Sequence, residues 1–349
     1  MRFKNVYIEG LAYHLPKNIV SSEDLEKRLA PVYDRLKLPF GRLEMMTGIK
    51  ERRFWDKDVS PSQVASKAGE LAVLNSGIDR VEIGCLINAS VCRDFLEPAT
   101  ASLVHHNLAL HANTLVFDIS NACLGVLNGM VHIANMIELG QIRAGLVVAG
   151  ENGGPLVDAT IETLLKKSDL TRNEIKSSFA SLTIASAAVG ILLVHKDLSK
   201  GKHRLLGGYG QAASQFNKLC RGNDESKPGI TNLSPLMKTD AETMMLEGCR
   251  LAGKTWDCAK KILGWANDDV SRVFCHQVGH AHRKLLYETL SLELKKDFST
   301  LEYLGNTGAA SLPSTLALGA ESGLLKSGDR IALLGIGSGL NCLMLGAEW

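Results

Sequence analysis

Three residue types in this chain have the reactivity and spacing to do chemistry together. Cys123 stands in "FDISNACLGVLNGM", where the apolar run "TLVFDIS" gives way to a helical pattern with Leu124, Leu127, Val131, Ala134 and Ile137 on one face. A thiol at a helix N-terminus meets unpaired N–H groups and the positive end of the dipole, which favour the nucleophilic thiolate. The plainer reading is a small cysteine packed under a helix. His276 stands in "FCHQVGHAHRKLL", at the end of a short apolar run, with His280 and His282 close behind. His276 and His280 are spaced to share a helix face as metal ligands, but no acid or cysteine completes a tetrahedral set. Asn306 lies between glycines in "YLGNTGAASLPSTLALG", a composition that ordinary turns also use. Each residue taken singly has a structural explanation. Cys, His and Asn in this order, each after a strand, fit a thiolate nucleophile with N–H donors for an oxyanion.

The elements that must position them alternate along the chain. The runs "EIGCLINASV", "TLVFDIS", "AGLVVAGEN", "AAVGILLVH", "RVFCHQ" and "RIALLGIG" read as buried strands between helical segments. That alternation predicts an α/β architecture. The chain of 349 residues exceeds one ordinary core. It also echoes itself: "ELGQIRAGLVVAGEN" and "ESGLLKSGDRIALLGIGSG" both read as helix end, glycine, strand, glycine. Two similar halves are expected, residues 1–198 with the cysteine and 199–349 with the histidine and asparagine. The polar stretch "LCRGNDESKPGITNLSPLM", 219–237, reads as an exposed excursion that caps a site.

Composition narrows the function. Hydrophobic residues make up 45% and charged residues 22%, with a net charge of +2 and no basic cluster interleaved with aromatics. Nucleic-acid binding is therefore not expected. The segment "MRFKNVYIEGLAYHLPKN" lacks the apolar core of a signal peptide, and "LTIASAAVGILLV" is shorter than the roughly 20 residues a membrane span needs. The eight cysteines form no C-x-x-C pair and are expected as reduced thiols in the cytoplasm. The terminal "GIGSGLNC" lacks the helix that a nucleotide-binding glycine loop requires.

These motifs resemble the thiolase superfamily, and within it the ketoacyl synthase III type. "NACLG" is similar to the nucleophile turn, "CHQ" to the histidine motif, "GNTGAASLP" to the asparagine motif, and "GIGSGLNC" to the closing glycine loop. "TGIKERRFW" resembles the early Thr-Gly-Ile motif. The resemblance implies a five-layered αβαβα thiolase fold of two duplicated halves, and a homodimer. It implies that Cys123 carries the acyl group, that His276 and Asn306 stabilise an enolate, and that the backbone N–H groups of Cys123 and Ser338 hold the thioester oxygen. No cofactor is implied beyond coenzyme A thioester substrates. Ala185-Ser186-Ala187 replaces the Gly-Asp-Gly that the family often shows, which should affect packing more than chemistry.

"INASVCRDFLEPATAS" places Glu97 before Pro98, where typical members have an apolar aromatic residue. That glutamate, with "YDRLKL", "FNKLCRGN" and "LGWA", resembles the head-to-head acyl-CoA condensing enzymes of long-chain olefin biosynthesis. A malonyl donor makes its carbanion by losing CO₂, whereas an ordinary acyl thioester must lose an α-proton to a positioned base. The resemblance makes Glu97 that base, reaching the site from the partner subunit. Its plainer reading is a solvated carboxylate or an ion pair with Arg93. The expected reaction is a non-decarboxylative Claisen condensation of two fatty acyl-CoAs to a 2-alkyl-3-keto acid. The alternatives are extension of an acyl-CoA with malonyl-acyl carrier protein, which would make that carrier a partner, and a non-catalytic acyl-binding subunit.

Overall fold

The computed structural model describes residues 1–201, 203–222, 237–276 and 278–349. Most of the excursion at 219–237, expected to cap the site, therefore lies outside the described residues. The strands are β1 (Val6–His14), β2 (Asn18–Ser21), β3 (Glu51–Phe54), β4 (Ile83–Asn88), β5 (Leu115–Asp118), β6 (Ala144–Glu151), β7 (Ala187–His195), β8 (His203–Ala212), β9 (Cys220–Gly222), β10 (Met237–Thr239), β11 (Arg272–Cys275), β12 (Arg330–Gly337) and β13 (Asn341–Glu348). Nine of them form one array in the order β11-β12-β13-β8-β1-β7-β6-β4-β5. β1 meets β8 only at Tyr7–Arg204 and Ile8–His203, so the array behaves as two leaves.

The leaves share one pairing scheme. β4 and β6 run parallel, while β6–β7 and β7–β1 are antiparallel. β11 and β12 likewise run parallel, while β12–β13 and β13–β8 are antiparallel. The first leaf adds β5 at its edge.

Period-2 alternation sends each strand's side chains to two different cores. In β6, Val147 and Ala149 join the central core, while Leu146 and Val148 face an outer one. In β12, Leu333 goes to the central core, while Ala332 and Leu334 face the other outer core. The central core is filled by helices Gly125–Glu138 and Ser311–Glu321, which supply Leu127, Met130, Ile133, Leu312 and Leu316. Helix Pro61–Ser76 covers one outer face, with Ala65 and Ala72 in its core. Helices Ala241–Leu263 and His280–Leu290 cover the other through Trp256, Leu286 and Tyr287. The result is the expected αβαβα layering.

Local chemistry sets the ends of these helices. Ser60 and Gln63 make a capping box at the start of Pro61–Ser76, and Gly77 ends it at φ 61°. Thr171 and Glu174 repeat the box at Arg172–Leu182.

Candidate active site

Cys123 sits in a 3₁₀ turn, Ala122–Leu124, that feeds directly into helix Gly125–Glu138. The turn is strained: Ala122 has φ 45°, a left-handed conformation rare for a residue with a Cβ. It is also pressed from below, because a Cβ at Gly125 would lie 2.2 Å from the Ala89 carbonyl oxygen. From above, the closing loop comes down on it. A Cβ at Gly337 would lie 3.6 Å from the Cys123 amide nitrogen and 3.1 Å from Leu124 Cγ. Asn341 Nδ2 bonds both Asn121 Oδ1 at 3.2 Å and the Ser338 carbonyl at 3.3 Å. Asn121 Nδ2 in turn donates to Asn128 Oδ1 at 2.7 Å. A ladder of asparagines thus joins Ser338, the cysteine turn and the following helix.

The charge state of the thiol differs from the sequence expectation. Burial, then the charge of Glu151, then Cys220 push Cys123 up to about 12. Desolvation of the thiolate outweighs the favourable N–H groups of the helix start. Cys123 in the free enzyme is therefore a thiol at neutral pH.

His276 follows β11, and its amide donates to the Leu334 carbonyl of β12 at 3.2 Å. It is buried at 5% exposure, and Nδ1 has no hydrogen-bond partner among the described residues. Burial and the neighbouring His282 push it down to about 3, so the ring is neutral. His282 is buried in helix His280–Leu290 and is pushed to about 4. His280 is exposed at the start of that helix, so His276 and His280 do not share a helix face. No group of three potential metal ligands occurs among the described residues. The strand end and the helix start are clamped by buried Asp297, which pairs with Arg283 Nε and accepts the Tyr287 hydroxyl at 2.6 Å.

Asn306 is held by its own backbone. Its amide donates to the Thr183 carbonyl at 2.9 Å, and its carbonyl accepts from Ala185 at 2.8 Å. Its Oδ1 accepts the Gly308 N–H at 3.1 Å, which leaves Nδ2 as a donor. The Ala185-Ser186-Ala187 segment therefore abuts this turn directly, and Ser186 Oγ accepts the Gly153 amide at 2.9 Å.

Glu151, the last residue of β6, was not singled out from the sequence. It is 3% exposed. Oε1 accepts the Val91 and Ala309 amides at 2.9 and 3.2 Å, and Oε2 accepts the Cys92 amide at 3.2 Å. Glu97 stands apart from this group. It is exposed, with Phe95 and Leu96 also exposed at 55% and 85%, and makes no ion pair with Arg93. The cysteine turn, the asparagine turn and the closing loop meet in one place within a single chain, and Glu97 does not join them there.

Known proteins share this arrangement. The model of 3-oxoacyl-[acyl-carrier-protein] synthase III matches residues 117–167, and that of its C-terminal part matches 261–349. An acyl-CoA:acyl-CoA alkyltransferase of Shewanella oneidensis is 43% identical, with 100% of each chain covered. The enzyme of that name from Xanthomonas campestris pv. campestris is 39% identical, also covering 100% of each. A crystal structure of a substituted Xanthomonas campestris OleA with bound lauric acid and lauroyl-CoA superposes with a TM-score of 0.93 at 39% identity, over 99% of this chain and 100% of that one. With a thiolase fold, the cysteine, histidine and asparagine motifs in place, and whole-length identity of this order, the chain belongs to the acyl-CoA:acyl-CoA alkyltransferases, within the 3-oxoacyl-[acyl-carrier-protein] synthase III family.

Proposed function

We propose that the enzyme is an acyltransferase that joins two fatty acyl-CoAs by non-decarboxylative Claisen condensation. The observation that carries this is the whole-length identity to two acyl-CoA:acyl-CoA alkyltransferases, 43% and 39%. The Cys123 sulfur attacks the first thioester, and its proton leaves with the departing CoA thiol. Glu97 of the partner subunit then removes the α-proton of a second acyl-CoA. Neutral His276 and Asn306 Nδ2 donate hydrogen bonds to the enolate oxygen. The α-carbon attacks the Cys123 thioester, and the backbone N–H groups of Cys123 and Ser338 hold the tetrahedral oxyanion. Collapse expels the Cys123 thiolate, which regains a proton. Hydrolysis of the remaining CoA thioester gives the 2-alkyl-3-keto acid. Nothing in this sequence needs a cofactor beyond the thioesters.

Residues 1–198 form the half that carries the nucleophile, and 199–349 the half that carries His276 and Asn306. The repeated pairing scheme of the two leaves supports that division. The working unit is a homodimer in the cytoplasm. Two features support the dimer: the exposed loop holding Phe95, Leu96 and Glu97, and the unpaired edge of β5, where Leu115 is 55% exposed. Among the described residues, no helix is long and apolar enough to cross a membrane.

A second reading, extension with malonyl-acyl carrier protein, draws support from the description of the matching family models. Glu97→Gln separates the two. Head-to-head condensation predicts that the variant still acylates Cys123 but condenses about 100-fold or more slowly, as loss of a general base does. A variant that condenses two acyl-CoAs at the wild-type rate contradicts the role of Glu97.

A further inference from the structure

We propose that Glu151 is a positioning residue for the condensation step: one buried carboxylate holds the loop that leads to Glu97 and the turn that carries Asn306 in register with the Cys123 turn. The inference rests on the condensation reading above. A buried carboxylate is costly unless its charge is compensated, and no cation pairs with Glu151 among the described residues. Backbone N–H groups of two separate segments offset part of that cost, although burial still raises the carboxyl above its usual value. Val91 and Cys92 open the loop that reaches Glu97, and Ala309 closes the Asn306 turn. The fit is close: Gly308 has φ 58°, and a Cβ there would lie 3.2 Å from Glu151 Cδ. Its charge also acts on Cys123, where it disfavours the thiolate. The other titratable group acting on Cys123 is Cys220, at the start of β9.

No apolar side chain can reproduce this. A packed leucine fills space, but it offers no shared acceptor, so the Val91, Cys92 and Ala309 amides would be free to seek other partners. Acylation needs only Cys123 and its oxyanion donors. Condensation needs more: the Asn306 turn set in its own site and the Glu97 loop presented to the partner's site, and the one carboxylate fixes the base of both. The tether therefore bears on the second half-reaction more than on the first.

The test uses full-length Glu151→Gln and Glu151→Asp. Glutamine keeps the shape but removes the charge and turns an amide N–H₂ toward a donor. Aspartate keeps the charge but is a methylene short of spanning both segments. Three quantities are read: stoichiometric acylation of Cys123 by lauroyl-CoA from intact mass, steady-state condensation of lauroyl-CoA, and the pH profile of Cys123 alkylation by iodoacetamide. Both variants are expected to keep acylation, Glu151→Gln about 3-fold or more faster near neutral pH because more of its thiol is ionised, and to condense about 10- to 100-fold more slowly, the cost of a misplaced group. Glu151→Gln is also expected to move the alkylation profile to lower pH by roughly half a unit or more, while Glu151→Asp leaves it in place. Wild-type condensation by Glu151→Gln, or an equal loss of acylation and condensation in both variants, overturns the proposal. If the wild-type enzyme acylates without condensing, the condensation reading fails on its own. The alkylation profile then still decides whether Glu151 acts on the Cys123 turn, an unmoved profile overturning it.

Discussion

His276 is neutral at pH 7 because a buried imidazolium is poorly solvated and stands beside His282. The same burial gives an acid-stability signature. Both His276 and His282 have folded values well below that of an unfolded histidine. Above about pH 6.5 both states are neutral, and neither residue contributes to the pH dependence. As pH falls, the unfolded chain takes up protons that the folded one refuses. Stability should then drop by up to about 1.4 kcal/mol per pH unit for each histidine, down toward their folded values of about 3 and about 4. Urea unfolding between pH 7 and pH 5 should show this slope, to which His14 and His203, also lowered by burial, add, and His282→Gln should make it shallower. A second prediction concerns the strained Ala122 at φ 45°. Ala122→Gly should raise stability by up to about 1 kcal/mol, since glycine adopts that conformation without a Cβ clash. It should also slow acylation, because a turn that glycine relaxes no longer fixes the sulfur. Thermal unfolding and a single-turnover acylation assay read the two effects. At this scale the local settings of Cys123, His276 and Asn306 were legible, because each follows an apolar run that reads as a strand or sits in a glycine turn, while their roles belong to the proposal. Glu151 was not: a carboxylate ending "AGLVVAGE" looks the same in sequence whether solvated or buried. The raised thiol of Cys123 was hidden for the same reason, since burial is a property of the packed chain.

The elements bearing these residues are tied together by a few polar contacts that can be tested singly. Asp297 has a fully buried side chain; it bridges to Val273 of β11 and holds Arg283 and Tyr287 of helix His280–Leu290. Removing one partner of such a pair leaves the other uncompensated. Asp297→Ala should therefore cost about 3–5 kcal/mol. It should also impair condensation more than acylation, because His276 lies between the two clamped elements. Chemical denaturation and the two assays check it. Asn341→Ala should be milder in stability, about 1 kcal/mol for its lost hydrogen bonds, yet should slow acylation by loosening Ser338 over the cysteine turn. The strands beside the site were visible as apolar runs: "AGLVVAGEN" and "AAVGILLVH" became β6 and β7, and "RIALLGIG" became β12. β1, β8 and β13 were not read as strands. β8 carries Gly207 and Gly208 where backbones approach closely; a Cβ at Gly208 would lie 1.9 Å from the Met344 carbonyl oxygen. Glycines required by that approach erase the β-branched signal by which a strand is recognised. β13 was read only as the closing loop it begins from.

For the whole molecule, one chain presents Cys123 with its turns but leaves Glu97 on an exposed apolar loop. A base acting across the dimer makes a sharp genetic prediction. Alone, Cys123→Ala should not condense and Glu97→Gln should condense about 100-fold or more slowly. Mixed and reassembled, they should recover roughly a quarter of wild-type condensation, since half of randomly formed two-fold dimers are mixed and each holds one complete site. A base acting within its own chain predicts no recovery. The layering and the paired halves were legible because alternation and a repeated helix–strand unit are periodic features. The dimer is expected only through resemblance, since an exposed apolar loop has many uses. The most direct measurement takes purified enzyme and one long-chain acyl-CoA with no malonyl donor, following free CoA and the mass of the extracted lipid. Multiple turnovers yielding a β-keto acid, or the symmetrical ketone formed when it loses CO₂, are the predicted result. Release of a single equivalent of CoA, with an acyl group that stays on Cys123, would contradict it.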